Sequence, residues 1–245
     1  GRQNCSKDYD RVAIVKAATN NVYHSNYGFA TNVEEMAAAI NKLVEANMSE
    51  IYIKYYDPKL AHGFVSTHCL VNKDCPNLML TAKTWQAFHI MQEAALKDGI
   101  KLEIASAFRS FERQKLIFSE KFKGNRPVLT PEEDVIENFN SLSDLEKVKA
   151  ITFFSAIPGL SRHHYGTDID VYASNLLSEN EKLDLTNIVY STGSQAKLSE
   201  WLTDNMQKFY FFRPYQTKNS LYANELWHIS YYPEADKFTE HLDKV

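Results

Sequence analysis

Two hydrophobic periodicities alternate along the chain, and their order sketches an α+β protein. Trp85, Phe88, Met91, Ala95 and Leu96 recur at helical spacing, which predicts a helix over about Ala82–Asp98, capped by Thr81 and stopped by Gly99. Lys101-Leu-Glu-Ile-Ala105 changes to period two, with Leu102 and Ile104 on one face, and reads as a strand. Ser110 is an N-cap for a helix through about Phe122. Thr130-Pro131-Glu-Glu, with proline at a first helical position, predicts another helix, and Ser141 or Ser143 caps one near Leu142–Phe154. Asp168 to Val171 begins a strand, and Ile188-Val-Tyr190 is strand-like. Ser194 caps a helix from Gln195 to about Lys208, with Leu198, Trp201, Leu202 and Met206 on one side. Phe209–Phe212 and Trp227–Tyr232 read as the last strands, and the tail from about Glu234 as a short amphipathic helix.

The first part of the chain carries no chemical motif. Val12–Val15 is a short apolar run of undecided type. Asn32 caps a helix over Val33–Asn47, and Ile51–Tyr56 is a strand ended by Asp57-Pro58. The expected organisation is a helical and strand extension, residues 1–65, packed on a domain over 66–245 with a helical insertion near 124–156.

The chemistry concentrates in Ser161-Arg-His-His-Tyr-Gly-Thr-Asp-Ile-Asp170. In an extended chain Asp168 and Asp170 point one way, while Ile169 and Val171 enter a core. Gly166 permits a sharp turn that brings His163 back beside Asp170. Imidazole nitrogen and carboxylate oxygen both bind divalent zinc. Near the C-terminus stands Glu225-Leu-Trp-His228. His163, Asp170 and His228 would supply three ligands and leave a fourth position open, the mark of catalytic zinc, with Glu225 as a candidate general base. The bland reading is a set of separate polar residues that never converge. A serine nucleophile is not expected, because Ser161 has no base and orienter of its own.

These residues resemble a known family. Ser161-x-His163-x-x-Gly166-x-x-x-Asp170 followed by Glu225-x-Trp227-His228 is similar to the zinc D,D-carboxypeptidases and D,D-dipeptidases of bacterial cell walls, the VanY and VanX types, and to the L,D-carboxypeptidases of the same fold. Ser106-Ala-Phe-Arg109-Ser-Phe-Glu-Arg-Gln114 resembles the family's Tyr-Arg-Ser-x-x-x-Gln segment, with Phe108 in place of tyrosine. Asp168 departs from the family's usual alanine.

The resemblance implies an α+β fold: a small antiparallel sheet with helices around it and one zinc ion at one end of the sheet. It implies His163, Asp170 and His228 as ligands, Glu225 as base, and Arg109 in contact with substrate or oxyanion. Gln114, Ser161, Ser106, Trp227 and Asp168 are the expected substrate contacts. Ser161 is alternatively a support behind the ligands, Trp227 a core residue, Asp168 an orienter of a ligating histidine or a local ion-pair partner, and His164 a neighbour of the ligands or a cleft wall. The implied substrate is a peptidoglycan stem peptide or muropeptide with a C-terminal D-alanine. An L,D-carboxypeptidase, a stem-peptide endopeptidase and an inactive metal-binding module for wall peptides are the rivals. An extracytoplasmic setting, periplasm or envelope, is the matching expectation.

Composition narrows the classes. The 245 residues are 44% hydrophobic and 24% charged, enough for a sizeable core. A formal net charge of −4 argues against general nucleic-acid binding. No apolar run is long enough for a transmembrane helix. Of three cysteines, Cys69 and Cys75 are close enough to bridge in an oxidising compartment, with Cys5 left over.

Overall fold

The computed structural model describes residues 58–71, 76–216 and 222–242. The expected elements at 12–15, 33–47 and 51–56 lie outside them, as does Cys75; Cys69 is a buried free thiol. The chain divides into a unit ending at Asp57 and a unit from Pro58 to Val245, and the second is described here. It starts earlier than the expected boundary at residue 66. The reason is that Pro58–Ala61 (α1) and the turn after it are bonded into the domain: Phe111 N donates to Gly63 O, and the His62 ring bonds Gly159 O.

Two sheets form. A two-stranded ribbon pairs β1 (Leu70–Val71) with β2 (Met79–Leu80). The main sheet comprises β3 (Leu102–Ser106), β4 (Asp168–Ala173), β5 (Phe211–Phe212) and β6 (His228–Tyr231), in the antiparallel order β3-β4-β6-β5. The helix Ala82–Lys97 (α2) is capped by Thr81, whose hydroxyl accepts from Thr84 N. Phe88, Met91 and Ala95 of α2 are buried with Leu102, Ile169, Val171 and Ile229 of the sheet. Leu198 and Leu202 from the helix Ala196–Asn205 (α6) join the same core. Each such side chain, fully buried, contributes roughly 1.5–3 kcal/mol. One sheet face is therefore apolar, and strand alternation leaves Asp168, Asp170, His228 and Ser230 on the other.

Phe111–Phe122 (α3) follows Ser110, which caps it as expected. Asp144–Thr152 (α4) follows Ser143 in a full capping box with Glu146. The helix expected from Thr130 is absent. Glu133 N donates to Thr130 O, Thr130 N donates to Asp134 O, and Leu129 bridges Val135, so Pro131 sits in a tight turn. Glu133 there has a positive φ of 72°, outside the helical region. The expected insertion is thus part turn and part helix; Val128, Phe139 and Ile151 form its own small core against Phe118 and Phe122 of α3.

Ile188-Val-Tyr190 is helical, not a strand: it lies in Asn187–Ser191 (α5). The Glu133 carboxylate accepts from Asn187 N and Ile188 N, binding the free amides of the first turn. Ser194 does not cap α6; its hydroxyl donates to Glu181 instead. Tyr232–Leu242 (α7) closes the domain. Among the described residues no helix is long and apolar enough to cross a membrane.

Gly166 ends the short 3₁₀ turn Arg162–Tyr165 with a left-handed φ of 67°, and a Cβ there would collide with the Cys69 sulfur. Gly166→Ala should therefore destabilise the fold by more than about 1 kcal/mol, read as a lowered urea midpoint. An unchanged midpoint would show that the turn relaxes freely.

Candidate metal centre and cleft

The register of the sheet builds the site. Asp170 lies directly opposite His228, and Asp168 opposite Ser230. Directly opposed residues of an antiparallel pair share a face. On the other side of β4, the register shifts between Ile104 and Ser106, so that Ser106 opposes Asp170. This bulge turns Ser106 toward the polar face rather than the core.

The turn Arg162–Tyr165 delivers His163 to the same place. Three backbone-directed bonds tie this turn to the β3–α3 turn. Arg109 N donates to His163 O at 3.0 Å, His163 Nδ1 meets Ala107 O at 2.9 Å, and His164 Nδ1 meets Arg109 O. A carbonyl only accepts, so Nδ1 of His163 carries the proton and Nε2 presents its lone pair. That Nε2 faces Asp170 Oδ2 at 3.2 Å. Burial keeps His163 below its ordinary pKa, despite Asp170. A lone pair against a carboxylate oxygen is repulsive unless a cation lies between them.

His228 completes the triad. Its Nδ1 meets Asp170 Oδ1 at 3.0 Å, and its Nε2 meets Asp168 Oδ1 at 3.1 Å. One ligand atom from each of His163, Asp170 and His228 falls within 4.8 Å of the others, and all three residues are buried. Two imidazole nitrogens and a carboxylate are a donor set suited to a divalent transition ion. Burial opposes a charged His228, yet Asp168 and Asp170 raise it to about 9. Burial opposes an ionised Asp170 as well, but His163, then His228, hold it well below the usual carboxylate range.

Asp168 stands behind the triad. It is fully buried and is absent from the residues that line the cleft. Arg162 Nε donates to its Oδ1 at 2.7 Å and the Thr167 hydroxyl to its Oδ2 at 2.7 Å. Burial opposes its ionisation, but Arg162, then His228, keeps its pKa below normal. Of the alternatives for Asp168, the geometry matches the orienter of a histidine and not the substrate contact: its Oδ1 meets His228 Nε2 and it does not line the cleft.

Two further expected contacts are corrected in the same way. Gln114 is buried; its Oε1 accepts from Arg109 Nη1 at 2.9 Å and its Nε2 donates to Ala156 O at 2.6 Å. Ser106 Oγ accepts from Arg109 Nη2 at 3.1 Å. Both hold the Arg109 guanidinium, which reaches to 3.9 Å from Asp170 Oδ2, and neither lines the cleft.

The cleft over the triad has a volume of about 290 Å³. Arg109, Ser161, Trp227 and Glu225 line it as expected, and Trp227 is also part of the hydrophobic core. His164 is fully buried behind the turn, accepting from Gly159 N at 3.1 Å, and is no cleft wall. Burial lowers it to about 4.

Glu225 lies in the loop before β6, with Oε2 at 3.7 Å from His228 Nδ1. The loop is pinned along its length. Ala223 N donates to Phe153 O, Asn187 Nδ2 to Asn224 O, Leu226 N to Asn187 Oδ1, and Arg213 Nε to Leu226 O. Burial raises Glu225 to about 8, opposed by His228 and assisted by Asp170.

Sequence reasoning missed Tyr215, Tyr222, Lys121 and Arg126, which also line the cleft. The Tyr215 ring lies 4.9 Å from that of His228, although thirteen residues separate them in the chain. No local pattern in the sequence marks such a contact.

A family model described as "VanY: D-alanyl-D-alanine carboxypeptidase" matches residues 77–234. The chain belongs to that family. A D-alanyl-D-alanine carboxypeptidase of Enterococcus faecalis (strain ATCC 700802 / V583) is 27% identical over 212 residues, covering 84% of this chain and 68% of that protein. An uncharacterized protein of Haemophilus influenzae is 42% identical over 81 residues, which is 33% of this chain and 55% of the relative. The chain thus spans about half the length of that relative. Among solved structures, VanYB in complex with D-Alanine-D-Alanine superposes with a TM-score of 0.50 at 21% identity, covering 71% of this chain and 87% of that one. That likeness places this VanY-family chain in the same fold.

Two outcomes are expected. Below about pH 9 the imidazole of His228 starts with a proton on Nδ1, so cation binding near about pH 7.5 should release at least about one proton, from His228 and in part from Glu225, which is raised to about 8. Calorimetry in buffers of different ionisation enthalpy reads this directly, and a buffer-independent heat would contradict it. Asp168→Asn should weaken cation affinity by about 10–100-fold in chelator competition, because the imidazole loses the partner that orients it.

Proposed function

We propose that this VanY-family protein is a zinc-dependent D,D-carboxypeptidase that removes the C-terminal D-alanine from peptidoglycan stem peptides. The observation that carries the reading is Glu225: a half-buried carboxylate beside the His163, Asp170 and His228 donors, lining the same cleft and raised to about 8. A module that only bound peptides would need no such base.

Zinc in the triad would supply Lewis acidity, polarising the scissile carbonyl and acidifying a water molecule. The chain supplies the rest. Glu225 takes the proton from that water and returns it to the departing amine, and a base with affinity near the working pH suits both transfers. Arg109, permanently charged and held by Gln114 and Ser106, meets the negative charge that develops on the carbonyl oxygen. Removing one donor of this kind raises the barrier by about 3–4 kcal/mol. Trp227, buried at the cleft wall, keeps water from the reacting groups. Peptidoglycan lies outside the cytoplasm, so we place the enzyme in the periplasm or envelope.

The test is incubation with a defined pentapeptide muropeptide, with products read by mass spectrometry. Free D-alanine should appear, vanish with chelator, and return with zinc. Glu225→Gln should lower kcat by about 10²–10⁴-fold while keeping the metal. Release of larger fragments would make the protein an endopeptidase, and metal uptake without product would make it a binding module.

A further inference from the structure

The cleft holds two cations that the chemistry above does not use. Lys121, near the end of α3, and Arg126, beyond the Gly124 turn, both line it. Lys121 is half-buried, and its Nζ donates to Ser155 Oγ at 2.7 Å. Among the described residues no carboxylate comes within ion-pair distance of either side chain. Burial lowers the pKa of Lys121; the charge of Glu225 opposes this, while Arg126 and Arg109 add repulsion. A half-buried ammonium whose bonded partner is a neutral hydroxyl, with an exposed guanidinium lining the same cleft, gains from an anion that both can meet.

Two of the nearby carboxylates, Glu133 and Glu120, are committed elsewhere. Glu133 spends one oxygen on Asn187 N and Nδ2 and the other on Ile188 N. Glu120, whose charge is felt by Arg126, is held by Asn125 and Lys123. Ser155 Oγ accepts from Lys121, which leaves its own O–H free to donate to a further acceptor. Ammonium, guanidinium and hydroxyl therefore lack one common partner, and that partner is an anion. Lys121 and Arg126 also line an adjoining hollow with Asp184, so the pair stands where the metal cleft opens into further space.

We propose that Lys121 and Arg126, assisted by Ser155, form a subsite for a side-chain carboxylate of the substrate, at the hollow that adjoins the metal cleft. The ligand class is a peptide bearing a free side-chain carboxylate. The guanidinium offers paired donors, and the ammonium a point charge that turns to meet them. This rests on the peptidase reading of the same cleft, and it makes the enzyme selective for acidic peptides.

The experiment compares three matched stem peptides: one with all carboxylates free, one with the C-terminal carboxylate amidated, and one with the side-chain carboxylates amidated. Each is assayed with the zinc-loaded protein, Lys121→Met, Arg126→Gln and Lys121→Arg. On the free acid, Lys121→Met and Arg126→Gln should each lose about tenfold or more in kcat/KM, the scale of one charged hydrogen bond. Lys121→Arg should keep most of the activity. On the peptide with amidated side-chain carboxylates the loss should disappear, whereas a loss that disappears only on C-terminal amidation overturns the subsite. Equal losses on all three peptides, or no loss on any, overturn the subsite. If the wild type cleaves none of them, the peptidase reading fails by itself. Calorimetric binding of the same three peptides then decides the subsite: affinity that depends on the side-chain carboxylates and that Lys121→Met abolishes upholds it, and affinity indifferent to their amidation overturns it.

Discussion

Everything in the site depends on one cross-strand pair. Asp170 and His228 face each other across β4 and β6, with the imidazole Nδ1 at 3.0 Å from the carboxylate. Strand side chains alternate faces, so a slip of one residue would send the imidazole into the core and bring Ile229 to the cleft. The apolar partners make that slip costly: Ile169 and Ile229 are themselves opposed and fully buried. The packing of one face thus sets the register that the chemistry of the other face requires.

A register alone does not orient a ring. One nitrogen of each histidine in the candidate triad is engaged, His163 by Ala107 O and His228 by Asp168. These partners decide which nitrogen is left for a cation, and they differ: Nε2 of His163 and Nδ1 of His228. The bond from Arg109 N to His163 O then joins the ligand turn to the arginine turn, so the metal donors and the guanidinium hold one spacing.

Much of this was legible because it is local. Thr81, Ser110 and Ser143 each cap the helix that follows, since a cap needs only the next three residues. Strand alternation placed Asp168 and Asp170 on one face. It did not give depth, which is why Asp168, Gln114 and Ser106 were expected at the substrate and lie behind the residues that line the cleft. Ile188-Val-Tyr190 has the composition of a strand, yet it is helical because a carboxylate 55 positions away, that of Glu133, receives its first amides. Lys121 and Tyr215 reach the cleft through tertiary packing, and neither stands near a motif in the sequence.

The departure at Asp168 follows from the same constraint. A carboxylate buried behind His228 on its own would cost several kcal/mol. Arg162 removes that cost, with Nε on Asp168 Oδ1 and Nη2 on Ser230 Oγ at 2.9 Å. Ser230 opposes Asp168 across the β4–β6 pair, so the guanidinium bridges both strands. Arg162 also lies over the rings of Tyr165 and Phe212, which screen it from water. Asp168, Arg162 and Ser230 therefore act as a unit: the acid orients the imidazole, the base keeps the acid ionised, and the serine fixes the base. Alanine at position 168 would remove the reason for the other two, and a variant lacking Arg162 would leave two carboxylates competing for the single imidazole between them.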